Sequence, residues 1–283
     1  MWGSVPICSY LGRSPVHARA GPVNNELNGG KMKKLNEAYF KIKQILGNNT
    51  ESLESVQLVE EYRRYWKPEE ARIILLAESH IFTTDDDRQI IIPPLHELPG
   101  FPTQYAKFVY CLGYGEKGLT KNPLHPNRDG TPQFWKIFYS CNNPISSLKD
   151  FGPVLGQTPV QQRLRNKINL LNDLKAKGIW LVDASIVALY KNGKKIPSMF
   201  SVLEESWRSY TREVVFSAKP EQVICIGKGV ANIVENDLRK HFQNRYTVIP
   251  QPNAHLTSKQ HEDNFEKYSK ICFHSIIGAS SIP

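Results

Sequence analysis

Four short apolar runs punctuate this chain: Arg72–Ala77, Ile179–Val182, Gln222–Ile226 and Tyr246–Ile249. A continuous apolar run bounded by turn or polar signals predicts a strand buried on both faces, as in a parallel sheet. Between the runs the period changes to that of a helix. Leu164, Ile168, Leu171 and Leu174 form one stripe within Gln161–Lys177, which Gly178 ends. Val202–Phe216 predicts a second helix, a third begins near Val230 after Gly227-Lys228-Gly229, and Glu262–Ile276 predicts a closing one. Upstream, Leu35, Tyr39, Ile42, Ile45 and Leu46, then Leu53, Val56, Leu58 and Val59, make residues 32–66 helical, and Pro68 closes that section. Strands alternating with helices predict right-handed β-α-β units, hence a three-layer α/β/α sandwich with a mainly parallel sheet of four or five strands.

The pattern sets the domain organisation. A single domain over 32–283 is expected, opened by a helical extension at 32–68. Residues 1–31 sustain no periodicity and carry Gly-Arg-Ser-Pro, Ala-Gly-Pro and Asn-Gly-Gly. They are expected to be a disordered leader, or to lie before a true start at Met32. The stretch 81–134 is rich in turn signals, with one short apolar and aromatic piece from Tyr105 to Leu112; an excursion this long in a compact domain is usually functional or mobile.

Two of the predicted strands run directly into proton-handling side chains. The first delivers Glu78-Ser79-His80, and the last delivers Pro250-Gln251-Pro252-Asn253-Ala254-His255-Leu256-Thr257-Ser258. Ligands of open α/β sheets bind beyond the carboxyl ends of the strands, so the two loops are expected to converge on one pocket. Composition narrows what that pocket serves. A content of 40% hydrophobic and 22% charged residues is that of an ordinary globular protein. No apolar run approaches the roughly 18 residues that span a bilayer, and no secretory signal is visible, which predicts an intracellular protein without a membrane partner. Cys8, Cys111, Cys141, Cys225 and Cys272 are scattered without a C-x-x-C pair, which argues against a zinc ribbon or iron–sulfur cluster and for buried thiols. A net charge of +9 and a pI near 9.2 favour a polyanionic partner, nucleic acid first.

The order of these pieces, over roughly residues 70 to 260, resembles the uracil-DNA glycosylase superfamily. Leu75-Leu76-Ala77-Glu78-Ser79-His80 stands where that family has its first motif, and Gly178-Ile179-Trp180-Leu181-Val182-Asp183-Ala184-Ser185 looks like its G-V-L-L-L-N-T strand. Val223–Ala231 resembles its strand-Gly-x-x-Ala helix start, and Pro250-Gln251-Pro252-Asn253-Ala254-His255-Leu256 its second motif, H-P-S-P-L. The resemblance implies a cofactor-free, metal-free monomeric DNA glycosylase that flips a damaged or modified base from DNA and hydrolyses its N-glycosidic bond. It also implies the site. Glu78, or a carboxylate of Asp85-Asp86-Asp87, would position the water, because Ser79 occupies the family's water-handling Asp or Asn. His80 would touch a phosphate or the base. Gln251 replaces the family's histidine, with His255 as a substitute. Phe82 or Phe101 would stack on the flipped base, and Asn142, Asn143 or Asn253 would read it. Leu256 would be the wedge, and Lys228, Ser258 and Lys259 phosphate contacts.

Each assignment has a plainer alternative: Ser79 and Glu78 as helix caps, Gly227-Lys228-Gly229 as tight packing, the aromatic segment at 134–139 as core, and Asp183 as a buried structural carboxylate. Both motifs depart from the family at the catalytic positions, which puts plain uracil in doubt. A roomier pocket for a bulky hypermodified cytosine, with a phage-defence role, is one expectation. An inactive member that only binds DNA is the chief rival. A hydrolase using Ser79 as nucleophile is a further one, without the G-x-S-x-G elbow.

Overall fold

The computed structural model describes residues 25–116, 119–120, 131–252 and 254–277. In chain order the elements are α1 Asn25–Leu46, α2 Leu53–Tyr65, β1 Ile73–Ala77, α3 Asp85–Arg88, α4 Pro132–Asn142, α5 Val160–Ala176 and β2 Ile179–Asp183. There follow a small hairpin of β3 Tyr190–Lys191 and β4 Lys194–Lys195, then α6 Met199–Ser206, a π-helical turn at Trp207–Thr211, and α7 Arg212–Ser217. The chain closes with β5 Gln222–Ile226, α8 Lys228–Phe242, β6 Tyr246–Ile249 and α9 Ser258–Ile277.

The four-stranded sheet has the order β2-β1-β5-β6, and every pair in it is parallel. Right-handed crossovers then dictate the layers. The chain moves one way from β1 to β2 and the other way from β2 to β5 and on to β6, so α4 and α5 fall on one face and α6, α7 and α8 on the other. The packing agrees: α4 lies against α5 and α9, whereas α1, α6 and α8 pack together. β1 and β2 are buried throughout. The predicted three-layer α/β/α fold is the observed one, and the four strands match their apolar runs to within a residue or so.

The differences have local causes. α1 begins at Asn25, inside the stretch expected as leader; once Leu35 to Leu46 anchor the helix, each added turn costs little. α4 was not expected as an element, although Phe134, Trp135, Phe138 and Cys141 recur at helical spacing, because it follows directly on a turn-rich stretch and its aromatic residues read as core alone. The hairpin was also missed, although Asn192-Gly193 between its strands is the strongest short hairpin signal; both residues take positive φ, +52° and +76°, as a type I′ turn requires. The segment Phe101–Leu112 is built into the core rather than held out as a loop: Phe101 packs edge-on against Tyr62, Tyr65 and Trp66, and Tyr110 stacks on Phe138. The four described cysteines are free and buried, as expected of them.

Candidate functional site

The register places the ends of β1 and β2 side by side, Ala77 opposite Asp183, and the ladder continues past both strands through Ala184 N–H to Ala77 C=O (2.7 Å) and Ser185 N–H to Glu78 C=O (3.0 Å). Three consecutive residues after β1 then meet three different environments. Glu78 is half-buried and faces the β5 side, its Oε1 3.4 Å from where a Cβ on Gly229 would stand. It also meets Tyr190, whose hydroxyl pKa is raised by burial and then by the Glu78 carboxylate. Ser79 Oγ accepts the Leu189 N–H at 3.2 Å, tying the β1 loop to the hairpin. His80 turns inward, with its ring out of solvent.

His80 belongs to a buried chain of alternating charge. Its Nε2 donates to Glu51 Oε1 at 2.7 Å, and its Nδ1 faces Asp183 Oδ2 at 3.7 Å, too long for a hydrogen bond. Asp183 Oδ2 receives Arg63 Nη2 at 3.3 Å; Arg63 pairs in turn with Glu60, which also holds Arg64 and the Tyr210 hydroxyl. Glu51, His80, Asp183, Arg63, Glu60 and Arg64 thus alternate in sign when His80 is protonated. Burial alone would depress the His80 pKa. That is the largest single effect, but the Glu51 and Asp183 carboxylates together outweigh it and push the pKa up to about 9. Asp183, expected as a structural carboxylate, is one here, and it also faces the cavity described next.

That cavity measures about 50 Å³ and is lined by Ser79, His80, Ile81, Lys107, Phe108, Val109, Thr131, Phe134, Leu181 and Asp183. It has room for roughly three or four waters. Two of its lining side chains, His80 through Nδ1 and Thr131 through Oγ1, carry buried polar atoms without a hydrogen-bond partner among the described residues. From the turn-rich stretch, Lys107, Phe108 and Val109 wall this small cavity. A larger cavity of about 300 Å³ lies across the first turn of α4, lined in part by Trp135, Lys136, Arg163 and Lys167; there Glu116 holds both Arg163 and Lys167.

The second polar loop does converge with the first. β5 lies between β1 and β6, and its Gly227-Lys228-Gly229 turn is the common surface: Glu78 approaches Gly229, and Gln251 packs on Gly227. Gly227 takes φ +101°, so this turn is both tight packing and the N-terminus of α8, with Lys228 exposed on it. His255 is exposed, Leu256 is half-buried, and Asn253 lies outside the described residues. Ser258 and Lys259 open α9 in solvent, where Thr257 and Gln260 form the cap and Lys259 pairs with Asp263 at 3.0 Å.

Other expected residues lie elsewhere. Asn142 and Asn143 end α4 at the opposite, amino edge of the sheet: Asn142 bonds Asp173 and Lys177, just before β2 begins, and Asn143 bonds back to Tyr139. They cannot read a base at the carboxyl ends. Phe101 is core, and Phe82 lies under Lys191 Nζ at 4.6 Å rather than in the cavity, whose rings are Phe108 and Phe134. Two of the three aspartates of α3 are also committed. Asp87 completes a capping box with Thr84 and binds Lys107 Nζ at 2.6 Å, and Asp85 binds Ser52 and Arg88. Glu51, Lys107, Thr131 and the lysines of the hairpin were not expected at the site. Among the described residues no group of three or more His, Cys, Asp or Glu side chains is placed to hold a metal ion, and no helix is long and apolar enough to cross a membrane.

Comparison with protein-family models, with curated proteins and with solved structures returned no match.

Proposed function

We propose that this protein is a DNA glycosylase, which accepts a base flipped out of DNA and hydrolyses its N-glycosidic bond. The observation that carries this reading is the His80–Asp183 cavity: a small, ring-walled space at the carboxyl ends of β1 and β2, flanked by the polar loops after β1, β5 and β6. A flipped base needs apolar or aromatic walls and a few fixed polar atoms, and Phe108, Phe134, His80 and Asp183 supply both kinds. Glycosidic cleavage leaves negative charge on the departing base, and an imidazolium held in a water-poor cavity stabilises such charge without reorganising. Glu78, next to Ser79 of the cavity wall in the chain and turned toward Gly229, is the carboxylate this reading assigns to orient the attacking water, and it assigns phosphate contacts to Lys228 and the hairpin lysines Lys191, Lys194 and Lys195. The net charge of +9 supports a polyanionic partner.

A DNA-binding protein without activity is the second reading. It is favoured by Ser79, whose hydroxyl is engaged by Leu189, and by Gln251, which donates a hydrogen bond but has no proton to give. Incubation with duplexes containing uracil, mismatched thymine or glucosylated hydroxymethylcytosine, followed by alkali, separates the two. Strand breaks that vanish in Glu78→Gln while DNA affinity persists support the enzyme. Salt-dependent binding with no breaks on any duplex supports the binder and sinks the enzyme. The tight cavity favours a compact base, so breaks confined to the glucosylated duplex would mean that the cavity wall moves, and would extend the reading to antiviral defence.

A further inference from the structure

The turn between α1 and α2 lies 29 positions before His80 in the chain, yet it reaches into the cavity wall. Glu51, with its side chain out of solvent, spends both carboxylate oxygens there. Oε1 takes His80 Nε2 at 2.7 Å and the Ala188 N–H at 2.7 Å; Oε2 takes the Thr83 N–H at 3.3 Å. These three donors come from two separate loops, Thr83 and His80 from the one after β1 and Ala188 from the one after β2. Glu51 is itself fastened, since its carbonyl accepts the Tyr39 hydroxyl of α1 at 2.8 Å. The neighbouring Ser55 of α2 adds a bond to the Thr83 carbonyl at 3.1 Å.

We propose that Glu51 is a positioning residue of this site: it latches the β1 and β2 loops together and holds His80 as an imidazolium whose Nδ1–H faces the cavity and Asp183. The helical extension is then a working part of the site and not an appendage to the sheet. The proposal rests on reading the His80–Asp183 cavity as the site, but not on which bond is broken there.

The electrostatics require a resident carboxylate on the Nε2 side. A neutral ring donating to Glu51 would place a bare acceptor at Nδ1, facing the Asp183 carboxylate, and two acceptors repel. A second proton on Nδ1 turns that contact into attraction. The charged and titratable groups around the ring are Glu51 from the α1–α2 turn and Asp183 from β2. Beyond Asp183 lie Arg63 and Glu60 from α2; Lys107 lines the same cavity from the segment after α3, and its ammonium is bound to Asp87. The Tyr110 hydroxyl also lies near Asp183, and burial raises its pKa, so it remains neutral. With Arg63 answering Asp183, the carboxylate left to balance a charged His80 is Glu51. Phe108 stands edge-on to the ring at 6.2 Å and excludes water from that side.

The test uses the full-length protein and reads His80 directly, by long-range proton–nitrogen correlation spectra of its ring across pH. In the wild type, both ring nitrogens are expected to carry protons at pH 7.5; a neutral ring there overturns the proposal whether or not any variant folds. In Glu51→Gln the titration midpoint is expected to fall by at least one pH unit, about a tenfold loss of proton affinity, with Glu51→Asp between the two. An unchanged midpoint overturns it. On whichever duplex the wild type cleaves, Glu51→Gln is expected to lower kcat roughly tenfold or more with DNA affinity within about twofold, and to move the alkaline limb of the pH profile to lower pH. A kcat loss with an unmoved limb reduces Glu51 to a fold contact and overturns the positioning role. A wild type inactive on every duplex removes the glycosylase reading alone, because the ring spectra still decide the proposal.

Discussion

Gln251 lies on Gly227, its Cγ 2.6 Å from where a Cβ on that glycine would stand. This contact fixes the β6 loop against the start of α8, and through Gly229 it brings Gln251 into the neighbourhood of Glu78. With φ at +101°, the backbone of Gly227 is also in a region that other residues rarely adopt.

Gly227→Ala therefore meets two obstacles, backbone strain and collision with Gln251. It is expected to lower stability by about 1–3 kcal/mol in urea unfolding and to displace the Gln251 side-chain amide resonances. If Gln251 contributes to cleavage, activity falls further than stability accounts for. Wild-type stability and an unmoved Gln251 amide would contradict the packing described.

Stability should decline on both sides of a neutral-to-mildly-acidic window. The folded His80 pKa of about 9 lies above its ordinary 6.5, so its contribution is fully present below about 6.5 and is lost as pH rises through about 9. The difference corresponds to about 3 kcal/mol. On the acid side, burial would raise the Asp87 pKa, but Lys107 and Thr84 outweigh that and hold it below the usual carboxylate value. Its contribution is present above the ordinary aspartate range and is lost as pH falls through the depressed value. Urea midpoints measured from pH 3 to 10 check both limbs, and His80→Gln should flatten the alkaline one.

Asp183→Asn should be costly although the shape is kept. It removes one of the two carboxylates that answer Arg63, a guanidinium with 3% of its side chain exposed, and the more distant of the two that face His80. Breaking a buried pair from one side costs about 3–5 kcal/mol, and thermal unfolding of the variant measures it. A loss below about 1 kcal/mol would mean that the buried charges are solvated in the folded protein.

Glu116→Gln should also destabilise, by about 3 kcal/mol. Glu116 is out of solvent and receives Arg163 at 2.8 Å and Lys167 at 2.7 Å, both from α5. Urea unfolding checks the loss, and a variant as stable as the wild type would show that the two cations do not depend on this carboxylate.

The sheet was legible because β1 and β2 are buried throughout and β5 nearly so, which writes an unbroken apolar run into Ile73–Ala77 and its counterparts, while the edge strand β6 is partly covered. Gly178, at φ +75°, was legible as a helix stop for the same local reason. The period of α4 is written in Phe134, Trp135, Phe138 and Cys141, but in a short helix that follows a turn-rich stretch the same residues also fit an irregular piece of core. The hairpin could have been read from Asn192-Gly193, a signal passed over in a stretch otherwise without alternation.

At the site the division runs along the same line. The sequence by itself determined that Glu78, Ser79, His80 and Gln251 stand at strand ends, since position in a parallel strand decides which edge its following loop occupies. Only the tertiary structure decided which way each side chain turns: Glu78 toward Gly229, Ser79 onto Leu189, and His80 inward between Glu51 and Asp183. It also brought Glu51 in from a helical turn and sent Asn142 and Asn143 to the far edge. Helix and strand periods are local and repeat every few residues, so one chain can display them. The partner of a buried charge is chosen by proximity in space, and nothing in the spacing of Glu51 and His80 along the chain announces that they meet.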